Sequence, residues 1–163
     1  MGLYFIRHGI AVERTEFDGP DAQRPLTEKG WAKTTQVANK LLTVGLQFDY
    51  LFCSPLARAQ QTAEIFGQAG LGIAQTLPEL SPGGDFKLWL ARMERISNLR
   101  LQEVGLVGHQ PDLSEWAERL LWGRVRHQVE LKKAGILGLR LPLDDPWLGH
   151  STLILLAAPK WLC

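Results

Sequence analysis

Hydrophobic and polar positions along this chain follow two alternating rhythms. Short, nearly unbroken apolar runs occur at Leu3-Tyr4-Phe5-Ile6, Tyr50-Leu51-Phe52-Cys53 and Val104-Gly105-Leu106-Val107-Gly108. Runs of this length, rich in branched and aromatic residues, predict buried strands. Between them the apolar positions recur every three or four residues, as on one face of a helix. Trp31, Thr34 or Thr35, Ala38 and Leu41-Leu42 make such a stripe, with Thr27 as its N-cap and Gly45 as its stop. Residues 57–69 predict a second helix, with Ser54 as N-cap and Pro55 at the first helical position. Leu88, Trp89, Met93 and Ile96 mark a third over residues 86–99. Leu113, Trp116, Ala117, Leu120 and Leu121 mark a fourth, opened by Gln110-Pro111 and running through Trp122. A short strand is expected near residues 74–77. Two late strands, at residues 135–141 and 152–158, are joined by the turn-prone Asp144-Asp145-Pro146. The polar residues 13–23 read as a loop over the sheet edge.

Strands and helices that alternate in this way predict an α/β fold, a three-layer α/β/α sandwich on a mostly parallel central sheet. The last two strands have no helix between them, so one antiparallel strand is expected. At 163 residues the chain suits a single domain over residues 1–163. Its 18 basic and 17 acidic residues give a net charge of +1. That balance argues against nucleic acid or an anionic membrane as partner, and confines any positive potential to a local patch. Two cysteines make no disulfide framework: Cys53 reads as a buried thiol in a strand, Cys163 as a frayed end. With no membrane-length apolar run and no secretory signal, the expectation is a cytoplasmic monomer.

The chemistry gathers where strands are expected to end. The first strand delivers Arg7-His8-Gly9, the second Ser54-Pro55-Leu56-Ala57-Arg58, and the third His109-Gln110-Pro111. Parallel strands would place all three exits on one rim, the edge where open α/β sheets bind ligands. Arginine offers a forked, permanent cation for phosphate, and histidine offers a nucleophile whose charge changes near neutrality. Two helix N-termini would add free N–H donors and partial positive charge. The electrostatics describe a phosphate site.

These segments resemble the signature blocks of the histidine phosphatase superfamily. Arg7-His8-Gly9, residues 54–63 and Gly108-His109 carry the likeness. Arg24-Pro25-Leu26-Thr27-Glu28-Lys29-Gly30 and residues 77–85 make the chain most similar to the SixA-type phosphohistidine phosphatases within it. The resemblance implies that His8 attacks phosphorus and becomes phosphorylated, and that water then hydrolyses the intermediate. It implies that Arg7, Arg58 and His109 stabilise the transferred phosphoryl group, with Arg24 as a further contact. No metal or other cofactor is implied. Many relatives that cleave esters carry a carboxylic acid near the leaving oxygen. Glu79, Asp85 and Asp18 are candidates here, and none is assigned. An imidazole leaves more readily than an alkoxide, so a phosphohistidine substrate tolerates the lack of such an acid.

The expected activity is therefore hydrolysis of phosphohistidine on a protein, such as a histidine phosphotransfer domain in two-component signalling. Two other readings stay open. One is a broad phosphatase of small esters, or a mutase-like enzyme. The other is a phosphoprotein-binding module that has lost catalysis. His127 and His150 match no block and read as surface residues. Lys132-Lys133 and the pair Arg124 and Arg126 read as a solvated face more readily than as a docking site. Trp147 and Trp161 are candidates for exposure without a role, while the other tryptophans read as core.

Overall fold

A computed structural model describes residues 1–97, 103–143 and 146–163. In chain order the elements are β1 (Gly2–Arg7), α1 (Glu28–Thr43), β2 (Tyr50–Cys53), α2 (Ala57–Gln68), β3 (Ala74–Thr76), α3 (Phe86–Ser97), β4 (Glu103–Gly108), α4 (Asp112–Trp122), β5 (Ile136–Arg140) and β6 (Thr152–Ala157). Short 3₁₀ turns lie at Arg14–Glu16, Asp21–Gln23, Pro78–Leu80 and Pro159–Trp161. The six strands form one sheet in the order β3-β2-β4-β1-β5-β6. β1 pairs parallel with β4, β4 with β2, and β2 with β3. β5 runs against both β1 and β6, so it is the antiparallel member the sequence pattern predicts.

Period-two alternation sorts the sheet's side chains into two cores. Tyr4 and Ile6 join Leu51, Cys53 and Val107 beneath α1 and α2, which contribute Val37, Ala38, Leu41, Ala63 and Phe66. Leu3 and Phe5 join Phe52, Val104 and Leu106 on the other face, against Trp89 and Met93 of α3 and Leu113, Trp116 and Leu120 of α4. Strands covered on both faces read as continuous apolar runs, which is why β1 and β4 are recognisable in the sequence. Trp89 stacks on Trp116 with ring centroids 4.8 Å apart.

Local signals set the helix ends. The Thr27 hydroxyl accepts the Gly30 N–H at 3.0 Å, so Thr27 is the N-cap of α1, and Gly45 follows the helix with φ +82°. The expected Ser54 cap is not formed. α2 begins two residues later, with Leu56 as its N-cap and no side-chain cap bond. The Ser54 hydroxyl accepts the Leu56 N–H at 3.3 Å and also meets a histidine, described below. In α3 the stripe narrows to Trp89 and Met93, with Leu88 exposed. The expected end of that helix at residues 98–99, and Asp144 and Asp145 of the late turn, lie outside the described residues. Among the described residues no helix is long and apolar enough to cross a membrane. Cys53 is buried and Cys163 exposed. The surface histidines are as expected, His127 and His150 both being exposed.

Candidate active site

Because β1, β2 and β4 are parallel, Arg7, Cys53 and Gly108 finish on the same rim. β1 and β4 are direct neighbours, so the residues after them meet. The His8 N–H donates to the Gly108 carbonyl at 3.0 Å, and the imidazole rings of His8 and His109 lie 5.1 Å apart, centroid to centroid. Both rings are almost wholly buried.

The His8 ring is held by its own backbone. Its Nδ1 lies 2.7 Å from the Gly9 carbonyl oxygen. A carbonyl only accepts, so Nδ1 carries the proton and Nε2 keeps its lone pair. Gly9 in turn donates its N–H to the Thr62 hydroxyl at 2.9 Å. That hydroxyl donates to the Arg58 carbonyl at 2.7 Å, tying β1 to α2. Gly9 is required by proximity and not by a turn. Its φ lies outside the left-handed region, but an added Cβ would sit 2.5 Å from the Thr34 hydroxyl. Gly30 is tighter still, since a Cβ there would stand 2.0 Å from the Ile10 carbonyl oxygen.

His109 follows β4, with its Nε2 2.8 Å from the Ser54 hydroxyl at the end of β2. When that hydroxyl donates to Nε2, the His109 proton resides on Nδ1, which is then a donor. Burial is the largest influence on both rings. With help from Arg58 and Arg7, it lowers His8 to about 3. It lowers His109 to about 4, with Arg58 the next influence in that direction. Near neutrality both imidazoles are uncharged, and the nucleophilic form of His8 exists without losing a proton.

Three guanidinium groups adjoin the pair. Arg58, in the first turn of α2 and 4% exposed, donates from Nη1 to the Asp21 carbonyl at 2.9 Å and from Nη2 to Asp21 Oδ2 at 3.0 Å. Arg24 donates from Nε to Asp21 Oδ1 at 2.9 Å and from Nη1 to the Val12 carbonyl at 2.7 Å. Asp21 thus braces two arginines with its two oxygens. Arg24 holds its carboxyl below the ordinary range, with Arg58 adding to the effect. Arg7 donates from Nη1 to the Leu131 carbonyl at 3.0 Å, while its Nε is buried with no hydrogen-bond partner among the described residues, as is that of Arg58. Unsatisfied buried guanidinium N–H groups are costly and suit an incoming anion.

The structure brings His8, Arg7, Arg58, His109 and Arg24 to one rim. The three carboxylates considered as acids fare differently. Asp85 caps α3, its Oδ1 accepting from the N–H groups of Lys87 and Leu88 at 2.8 and 3.1 Å. Glu79 is buried and its Oε1 pairs with Arg92 Nη2 at 2.8 Å. Asp18 stays exposed in the first loop. Among the described residues no group of three or more His, Cys, Asp or Glu is placed to hold a metal ion.

Four supporting residues escaped sequence reasoning. Asp21 lies in a segment that reads only as a turn, and Ser54 reads as a helix cap. Thr62 lies within residues 54–63 with no local signal of its own. Glu118 carries the least local signal. Wholly buried on α4, it accepts four backbone N–H groups, from Arg126, His127, Gln128 and Val129, at 2.5, 2.7, 2.6 and 2.8 Å. Burial opposes its charge, and the four donors overcome that and hold its carboxyl below the usual range. The only hint in the sequence is an acidic residue set between Ala117 and Leu120 on an apolar helix face.

A cavity of about 760 Å³ lies elsewhere, among Tyr4, Leu46, Asp49, Glu103 and Leu155. It is lined by none of the five cationic or imidazole groups, so chemistry and not volume marks the site.

Comparison with known proteins agrees with this geometry. The sequence pattern of the histidine phosphatase superfamily (branch 1) matches residues 3–86. The chain is 46% identical over 165 residues to an uncharacterized protein of Picosynechococcus, with 99% of each covered. It is 32% identical over 114 residues to the phosphohistidine phosphatase SixA of Escherichia coli, with 68% of each covered. A solved structure of the protein histidine phosphatase SixA complexed with tungstate superposes with a TM-score of 0.87, at 27% identity and over all of both chains. The chain belongs to the histidine phosphatase superfamily and is a phosphatase of SixA-like fold.

Proposed function

We propose that residues 1–163 act as one phosphatase domain that hydrolyses phosphohistidine on a protein, through a phosphorylated His8. The observation that carries this reading is the bond from His8 Nδ1 to the Gly9 carbonyl. It leaves the Nε2 lone pair free beside a buried cluster of guanidinium groups. In the first step Nε2 attacks phosphorus in line, and the bond from phosphorus to the substrate imidazole breaks. The substrate ring carries a proton on its far nitrogen, so it departs as a neutral imidazole and needs no acid at the breaking bond. In the second step water attacks phosphorus, the bond to His8 breaks, and phosphate and neutral His8 are restored. Arg7, Arg58 and His109, with Arg24 beside them, offset the charge on the non-bridging oxygens, so the chemistry runs on side chains alone.

Glu79 in its pair with Arg92 and Asp85 in its cap are both engaged in holding structure, which supports a leaving group that asks little of them. The likeness to SixA, a phosphohistidine phosphatase in Escherichia coli, points the same way. The test is a substrate panel with wild type and His8→Ala. Phosphohistidine peptide should be turned over faster than phosphoserine peptide or sugar phosphates by about 10²-fold or more, the scale of assistance an alkoxide would need from a missing acid, and His8→Ala should be inactive. Faster turnover of the esters overturns the phosphohistidine reading in favour of a small-ester enzyme. Stoichiometric retention of phosphate without turnover shows a binding module instead.

A further inference from the structure

β6 runs parallel to β1, so the chain leaving it at Ala158-Pro159-Lys160 emerges on the same rim as Arg7. Between them lies a cavity of about 520 Å³ whose wall includes Arg7, Lys33, Lys132, Lys133, Lys160 and Glu130. Five cations and one carboxylate line this groove on a chain whose net charge is only +1. The lysines come from three separate places: α1, the segment before β5 and the turn after β6. Lys132 pairs with Glu130, and Lys133 lies 3.5 Å from Glu13. Lys33 and Lys160 have no ion pair among the described residues. A smaller hollow of about 260 Å³ continues the groove past Lys132 and Lys160 to Leu156 and Trp161. Trp161 is 73% exposed, with Lys160 Nζ 4.9 Å from its ring centroid. Lys132-Lys133, which read in the sequence as part of a solvated face, and Trp161, which read as exposed without a role, therefore share one surface, and it abuts the active site.

We propose that this groove docks an acidic segment of the phosphoprotein substrate beside its phosphohistidine. Carboxylates of the segment meet Lys33, Lys132, Lys133 and Lys160, and an apolar side chain rests on Trp161. The inference rests on the phosphohistidine reading and adds the chemistry of the partner. Arg7 joins the two sites, because it belongs to the cationic cluster around His8 and to the wall of the groove. Each exposed ion pair is weak by itself. Four lysines of one sign still steer an oppositely charged segment, and they do so over a Debye length of about 8 Å near 0.15 M salt. A free phosphorylated amino acid reaches only the inner site.

Two phosphohistidine peptides of equal length test this, one flanked by Asp and Glu, the other by Ser and Gln. Wild type should show a kcat/KM about tenfold higher for the acidic peptide at low ionic strength, the lower end of electrostatic steering, and the ratio should fall towards one in high salt. The double variant Lys33→Glu/Lys160→Glu should lose or invert the preference. Its turnover of free phosphohistidine should stay within about twofold of wild type, since neither lysine belongs to the inner site. A ratio near one in wild type, or the same ratio in the variant, overturns the proposal. An unphosphorylated Glu-rich peptide, titrated against both proteins by Trp161-sensitive fluorescence, decides it independently of turnover. Binding to wild type that the double variant loses supports the groove even where phosphohistidine hydrolysis fails, and no binding to wild type refutes it. Absence of phosphohistidine turnover with binding intact would therefore strike the enzymatic reading alone.

Discussion

Replacing Glu118 with Gln should weaken both the fold and the site. The carboxylate accepts four backbone N–H groups from residues 126–129, two on each oxygen. Two residues further on, the Leu131 carbonyl accepts from Arg7 Nη1 at 3.0 Å. Glu118 is thus a positioning residue, setting the segment that sets Arg7. A glutamine keeps one oxygen for two of the four donors, while its NH₂ faces the other two and cannot accept. A hydrogen bond to a charged group contributes about 1.5–3 kcal/mol, so losing two costs roughly 3–6 kcal/mol. Removing a buried charge offsets part of that. A net loss of about 2–4 kcal/mol should lower Tm by about 5–15 °C for a chain of this size. Urea unfolding should show the lower midpoint with an unchanged m value. Because the Glu118 carboxyl is held below the ordinary range, its stabilisation is present above that range and is lost as pH falls through the folded value. The gap between the proteins should therefore narrow in acid. Well below both melting temperatures kcat should fall about tenfold through Arg7, a fraction of what deleting a donor outright costs. A Tm within a degree or two of wild type would refute the reasoning.

Three further outcomes follow from the same geometry. His8 and His109 are lowered to about 3 and about 4, so between those values and the ordinary 6.5 the unfolded chain binds more protons than the folded one. Stability should be flat in this respect above pH 6.5 and should fall on acidification by up to about 2.7 kcal/mol per pH unit for the two rings together. Urea midpoints at several pH values measure this, and a slope that His8→Asn does not reduce would contradict it. Arg58→Lys keeps the charge but loses the fork that meets the Asp21 carbonyl and carboxylate, and kcat should fall about 10²-fold. Ser54→Ala removes the hydroxyl that selects the His109 tautomer, and kcat should fall about tenfold, with Tm lowered by a few degrees because the buried His109 Nε2 and the Leu56 N–H lose their partner.

The layers of this fold were legible because its central strands are buried on both faces. Leu3-Tyr4-Phe5-Ile6 and Tyr50-Leu51-Phe52-Cys53 carry no polar interruption, and Thr27 and Gly45 bracket α1 by local chemistry alone. The positions of His8, Arg58 and His109 followed from the same reasoning, since strand exits share a rim once the strands are parallel. Features set by distant partners were not legible. Ser54 reads as a helix cap because Pro55 follows it, and its hydroxyl does accept the Leu56 N–H, but its bond to a histidine 55 residues away has no local signal. Asp21 looked like a turn residue, and only the fold carries it to Arg58, 37 residues on. Glu118 bonds backbone N–H groups, which every non-proline residue offers and no sequence pattern marks. Lys33 and Lys160 are ordinary surface lysines until the parallel course of β6 brings them to one groove.

The covalent role of His8 is the centre of the account. It is tested most directly by rapid acid-free quenching of the enzyme during turnover of a ³²P-labelled phosphohistidine peptide, followed by peptide mapping. The label should appear on the His8 peptide, be stable to base and labile to acid, and be absent from the His8→Ala protein. Turnover by wild type with no label on that peptide, or labelling that survives in His8→Ala, would contradict it.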